Sequence, residues 1–274
     1  MSIQPSQPQT IGGVLDTTFQ LYKASVVKMI PLSLLMVIAG SPQSIYMFMR
    51  GASAGGNPAD PLAMLAMMQG GGYWLAACVG IIGSMWMLSA AYLKIHALGI
   101  GGDLGIGTAV AQALTRLPAV ILMVILFGIA LTIGLILLLI PGLILMVSLG
   151  LCFAAALFDG KGPIDALTES HRLVWGNWWR TFAILSVGVV IIFVIYMIAA
   201  LIIGLIVPVL VFGGGAGAEN VLLISLISGL LIGVLMSLLL TPFYISLAIA
   251  IYWDLKLRKD GGDLAARVGA LNPA

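Results

Sequence analysis

Residues 181–211 form one apolar run without a single charged side chain, and that run most constrains what the chain can fold into. A helix needs roughly 20 predominantly apolar residues to cross hydrocarbon about 30 Å thick. Similar runs lie at 25–48, 74–95, 118–140, 143–158 and 221–250. Their spacing predicts an all-α, polytopic transmembrane bundle of six spans. The composition agrees, with 61% hydrophobic and 8% charged residues among 274. A soluble domain carries roughly 25% charged residues, so a chain this apolar needs the bilayer as its solvent. The net charge of +2, spread without a basic stripe, argues against a nucleic-acid partner.

Within this plan, residues 1–10 read as a disordered polar tail, 11–259 as a single transmembrane domain and 260–274 as a cytoplasmic C-terminal tail. The first residues lack the basic stretch and short apolar core of a signal peptide. The third and fourth runs are separated only by Pro141-Gly142. Read as one helix, 118–158 would extend about 60 Å, twice the hydrocarbon thickness. A hairpin turning at Pro141-Gly142 is therefore expected, since proline breaks the helical ladder and glycine accepts a tight turn. Whether that pair crosses fully or is re-entrant stays open, because either form returns the chain to the same side.

Placing the N-terminus inside puts every Lys and Arg except Arg50 in inner segments. The positive-inside rule then sets both termini in the cytoplasm. In the first outer loop, Asp60-Pro61 predicts an N-cap and first turn for a short helix over 62–69. Gly213 to Gly217 reads as a turn between the last two spans, and Gly229 and Gly233 have the spacing of a close-packing motif.

Three inner stretches look alike: 11–22, 107–117 and 163–175. Each predicts a short amphipathic helix lying in the interface before a span. In the first, Leu15, Phe19 and Tyr22 share a face, and in the third Ile164, Leu167 and Val174 do. The expected architecture is a threefold repeat of interfacial helix plus hairpin.

No residue set has the pattern of a catalytic site, and no cofactor or metal is expected. Small polar residues in the spans, such as Ser84, Thr132 and Ser237, suit helix packing. His96 and His171 are too few for a metal centre, and the methionines of the outer loop lack companion ligands. Cys78 and Cys152 lie in apolar runs as small hydrophobes. Aromatic and basic residues do gather at the inner surface. Trp175, Trp178 and Trp179 flank Arg172 and Arg180, while Tyr252 and Trp253 precede Lys256 and Arg258. Such side chains anchor helices at headgroup level, and these seven sites (Arg172, Trp175, Trp178, Trp179, Arg180, Lys256, Arg258) are the candidates for binding an anionic lipid headgroup or a partner.

The runs Ile140-Pro141-Gly142-Leu143, Ala156 to Leu167, Ser170-His171-Arg172-Leu173 and Gly176 to Phe182, with Tyr252-Trp253-Asp254-Leu255 near the end, resemble one family. It is the membrane domain of some glycerophosphoryl diester phosphodiesterases and of the related YciC-like bacterial membrane proteins. The resemblance covers most of the chain and carries no catalytic residue, because in the fused enzymes the chemistry belongs to a separate soluble barrel. It implies a protein of the bacterial cytoplasmic membrane connected with lipid or envelope physiology. The expected function is a non-enzymatic membrane protein that binds lipid, a protein partner or a second copy. The alternative is a transporter or channel for a small apolar or amphiphilic solute, suggested by glycine-rich spans containing Pro31, Pro208 and Pro242.

Overall fold

The computed structural model describes residues 2–54, 61–212 and 218–271. Among them are ten helices and no strand: α1 (Ile11–Gly40), α2 (Pro42–Ala54), α3 (Pro61–Met68), α4 (Gly71–Gly99), α5 (Ile106–Leu137), α6 (Leu139–Leu149), α7 (Cys152–Phe158), α8 (Pro163–Val174), α9 (Trp178–Phe212) and α10 (Ala218–Leu271). Six segments are long and apolar enough to cross a membrane, with α6 and α7 together making the fourth.

α1 is the central helix. It packs most extensively against α10 and α4, antiparallel to both. Ser237 donates to the Ser33 carbonyl at 3.3 Å, and Phe243 meets Phe19 and Tyr22. On the other flank Gly40 faces Ser84, and Leu21 reaches Gly99. Small buried residues recur in the bundle, among them Ala90 and Ala91 on α4, Ala109 and Ala113 on α5 and Ala250 on α10. Lipid tails are as apolar as leucine, so close backbone approach and dispersion hold such helices together.

The packing is not uniform along the bundle. Nearly all buried polar and charged groups, including Lys94, Glu169 and Asp254, lie at the end where α7 and α8 are. Towards the opposite end, α1 exposes Leu34, Leu35 and Ile38, α9 exposes Phe193, Leu201 and Leu205, and α10 exposes Leu231 and Leu235. These surfaces would be costly in water and suit hydrocarbon. The molecule thus has an ionic end, tightly packed, and a far end formed by apolar helices.

Several boundaries differ from the sequence expectation. Of the three stretches read as separate interfacial helices, only the third stands alone. Residues 11–22 and 107–117 run unbroken into α1 and α5, because no helix breaker divides them from their spans. In the third, Gly176 at φ +92° separates α8 from α9, a conformation that side-chain-bearing residues rarely adopt. The buried face of α8 also differs: Ala166, Ser170, Leu173 and Val174 point inward, while Ile164 is exposed. The hairpin turn falls at Leu138, extended at φ −173° and ψ 154°, rather than at Pro141-Gly142. Pro141 instead occupies the first turn of α6, where a missing N–H costs little. Gly142 lets the arms touch, since a Cβ there would collide with Leu135. Residues 2–10, expected as a disordered tail, form a strap bonded across the ionic end, and α10 stays helical through 260–271. The short helix expected over 62–69 is present as α3, Pro61–Met68, whereas Asp60 and the turn at Gly213 to Gly217 lie outside the described residues.

Candidate functional site

The seven residues singled out above all lie at the ionic end, but they divide into two groups with different neighbours. The basic side chains are each engaged with a carboxylate, Arg180 and Arg258 with a buried one. Asp254, only 1% exposed, accepts from Arg180 Nε and Nη2 at 3.2 and 3.0 Å and from Arg258 Nε at 3.0 Å. Its other oxygen accepts the Gln9 amide at 2.7 Å. Both arginines also donate to the Gln9 carbonyl. One carboxylate therefore joins the strap, α9 and α10. The i,i+4 spacing of Asp254 and Arg258 on α10 was legible in sequence, but neither Gln9 nor Arg180 could be assigned to it.

Two further ion clusters flank this hub. Lys256 pairs with Asp159 at 2.6 Å, and Tyr252 donates to the same carboxylate at 2.5 Å. Glu169 on α8 accepts a two-pronged bond from Arg172 at 3.0 and 2.7 Å and pairs with Lys161 at 2.8 Å. These bonds, Arg172 foremost, hold the Glu169 carboxyl down at about 2. The Arg172 guanidinium is correspondingly raised by its bond to Glu169. Lys94, buried in α4, donates to the Leu104 carbonyl at 2.8 Å and shares Asp103 with Lys28. The bond from Lys28 pulls the Asp103 carboxyl below its usual range. Arg172, Arg180, Lys256 and Arg258 are thus engaged with carboxylates, and they do not form an open cationic cluster. Sequence reasoning missed the acids because it weighed the bases alone.

The tryptophans behave differently. Together with Gly176, Asn177 and Arg180 from the α8–α9 junction, and Ile140 and Ile144 from α6, they wall a groove of about 680 Å³. Trp175 and Trp179 are 58% and 78% exposed. Trp178 packs flat on Phe182 with centroids 5.2 Å apart and points Nε1 at the Ile144 carbonyl, 3.4 Å away. Gly176 makes the sharp turn that splays the three indoles. The walls are mostly apolar, Asn177 and Arg180 also line the groove, and the Arg180 guanidinium is held by Asp254. Its volume falls within the range of small-molecule sites.

His96 stacks on Phe158 with centroids 3.9 Å apart, and His171 lies against Trp175. Among the described residues no group of three or more His, Cys, Asp or Glu could hold a metal. A family model described as "Domain of unknown function (DUF7847)" matches residues 76–252. No curated protein and no solved structure matches the chain, and nothing in these results bears on the resemblance to phosphodiesterase membrane domains.

Proposed function

The chain belongs to the DUF7847 family, and we propose that it is a non-enzymatic protein of the bacterial cytoplasmic membrane that binds a lipid in the tryptophan groove at its ionic end, both termini facing the cytoplasm. The groove carries this reading. Its indoles have an apolar body and one N–H, which suits the boundary between acyl chains and headgroups. Ile140 and Ile144 offer an apolar wall to a chain, while Arg180 and Asn177 offer donors to a headgroup. Because the neighbouring bases already hold carboxylates, one oriented guanidinium replaces the four-residue cationic site expected from sequence. Engagement of Asp103, Asp159, Glu169 and Asp254 with cations likewise favours a structural role for the acids over acid–base chemistry.

The test is native mass spectrometry of protein released gently from its own membrane, combined with quenching of tryptophan fluorescence by lipids brominated along the chain. A retained lipid at one per chain is expected, and Trp175→Phe with Trp179→Phe should weaken its retention at least severalfold. Absence of any retained lipid, with quenching identical in the double variant after correction for tryptophan number, would sink the reading. A transport role draws on a second cavity of about 300 Å³ at the far end, lined by Met36, Gln43, Ser84 and neighbours on α1, α2 and α4. Solute flux into liposomes, abolished by filling that cavity with Gly80→Leu, would favour transport instead.

A further inference from the structure

We infer that the α5–α6 hairpin does not cross the membrane: it enters and leaves through the leaflet at the ionic end, as a wedge lying beneath α8 and the first turn of α9. Length alone would permit a crossing, because α5 from Arg116 to Leu137 extends about 32 Å at 1.5 Å per residue. A crossing arm would put the tip at Leu138 near the far end, level with Pro42 and Gly71. The contacts put it elsewhere.

Ile140 and Ile144, just past the tip, wall the same groove as Trp175, Trp178 and Arg180. Trp178 points its indole N–H at the Ile144 carbonyl. Further along α6, Ser170 of α8 donates to the Ser148 carbonyl at 2.8 Å and accepts from the Leu151 amide at 3.1 Å. The returning arm is therefore fastened at several points to α8 and to the start of α9. Those elements mark the ionic end, since Arg180 pairs with Asp254 and Lys259 donates to the Trp175 carbonyl at 2.8 Å.

The outgoing arm agrees. Trp86 donates to the Val110 carbonyl at 2.8 Å, and Lys94 bonds Leu104 just before α5 begins, so these ties fall on the half of α4 nearer the ionic end. Arg116 then bonds the Ala156 carbonyl at 3.1 Å, again at that end. The outgoing arm is thus tied no farther out than the middle of α4, and the returning arm lies at the ionic end.

Yet the tip is made for hydrocarbon. Ile136, Leu137, Leu138, Leu139 and Ile140 are each at least 67% exposed, and leaving such side chains in water costs about 1.5–3 kcal/mol apiece. Acyl chains of the leaflet at the ionic end are what cover them. This geometry stands whether or not a lipid occupies the groove.

The experiment uses the full chain in liposomes with Cys78→Ala and with Cys152 left buried and intact. Spin labels are placed in pairs, on Leu138→Cys with Trp179→Cys and on Leu138→Cys with Arg50→Cys. The expected distances are within about 20 Å for the first pair and beyond about 30 Å, one hydrocarbon thickness, for the second. The reverse order would overturn the proposal. The Leu138→Cys chain is also treated with a membrane-impermeant maleimide from the face that labels Arg50→Cys. No reaction is expected there, and rapid labelling would overturn the wedge even if the distances were distorted by a label.

Discussion

Replacing Asp254 by asparagine keeps the shape of the side chain and removes the charge at the centre of the hub. The wild-type carboxylate receives four donors, three of them from guanidinium nitrogens. Breaking a buried ion pair from one side costs about 3–5 kcal/mol, because the surviving charge is stranded. Here the stranded groups are partly accessible, with Arg180 and Arg258 side chains 19% and 30% exposed. They also keep the Gln9 carbonyl as acceptor. The expected loss is therefore reduced to about 2–3 kcal/mol, which for a chain of this size corresponds to a fall of roughly 5–10 °C in Tm. Thermal unfolding in mild detergent measures it, and a cycle with Arg180→Met tests the cause. The double variant should lose about 0.5–3 kcal/mol less than the sum of the singles. Hydrogen exchange gives a local readout, since the Gln9 amide should lose protection in Asp254→Asn while the middle of α4 does not. A Tm within 1 °C of wild type, together with additive singles, would refute the hub as an energetic element.

Other outcomes can be stated more briefly. Glu169 is held at about 2 against an ordinary 4.5, so its pairing contributes stability above pH 4.5 that is lost as pH falls from there towards 2. Acid titration followed by exchange should show α8 loosening over that range, and Glu169→Gln should abolish the dependence. Gly176→Ala forces a Cβ into φ +92° and should cost about 1–2 kcal/mol, seen as a lower Tm with altered tryptophan emission from the splayed indoles. Lys94→Met removes the donor to the Leu104 carbonyl and should cost about 1–3 kcal/mol by orphaning that acceptor. Proteolysis within residues 100–105 should rise accordingly.

Much of the helical plan was legible because a membrane span advertises itself through length and the absence of charge. The runs at 74–95 and 181–211 lie inside α4 and α9, with a few added residues at each end. The first run was misplaced at both ends. Ser41-Pro42 closes α1, Pro42 opening α2, while nothing breaks the helix between Ile11 and the span. The site was harder to read. Aromatic and basic clustering did point to the ionic end, and the tryptophans do share a groove. What escaped was pairing: a count of positive charges sets orientation but says nothing of which carboxylate each base will meet. Glu169 with Arg172 and Asp254 with Arg258 have local helical spacing, but Asp159 with Lys256 and Asp254 with Arg180 are brought together only by contacts among helices, and no local pattern encodes those. The hairpin shows the same limit, since 118–158 has enough apolar length for two crossings, and only the bonds from Trp178 and Ser170 reveal where its second arm lies.

The strap also sets an order of events during synthesis. Gln9 and Asp254 are 245 positions apart, and a ribosome adding about 5–20 residues per second makes the first wait about 12–50 s for the second. Arg180 emerges 74 positions before its carboxylate, and Trp175 is translated well before the Lys259 that holds its carbonyl. Throughout that interval Arg180 lacks the carboxylate that later holds it. With both termini in the cytoplasm, as proposed above, such a charge helps to retain its segment on that side. Arg180, later held in the hub, thus first serves as a topological anchor, and the hub closes only once Asp254 and Arg258 have been made, joining the first residues of the chain to α10.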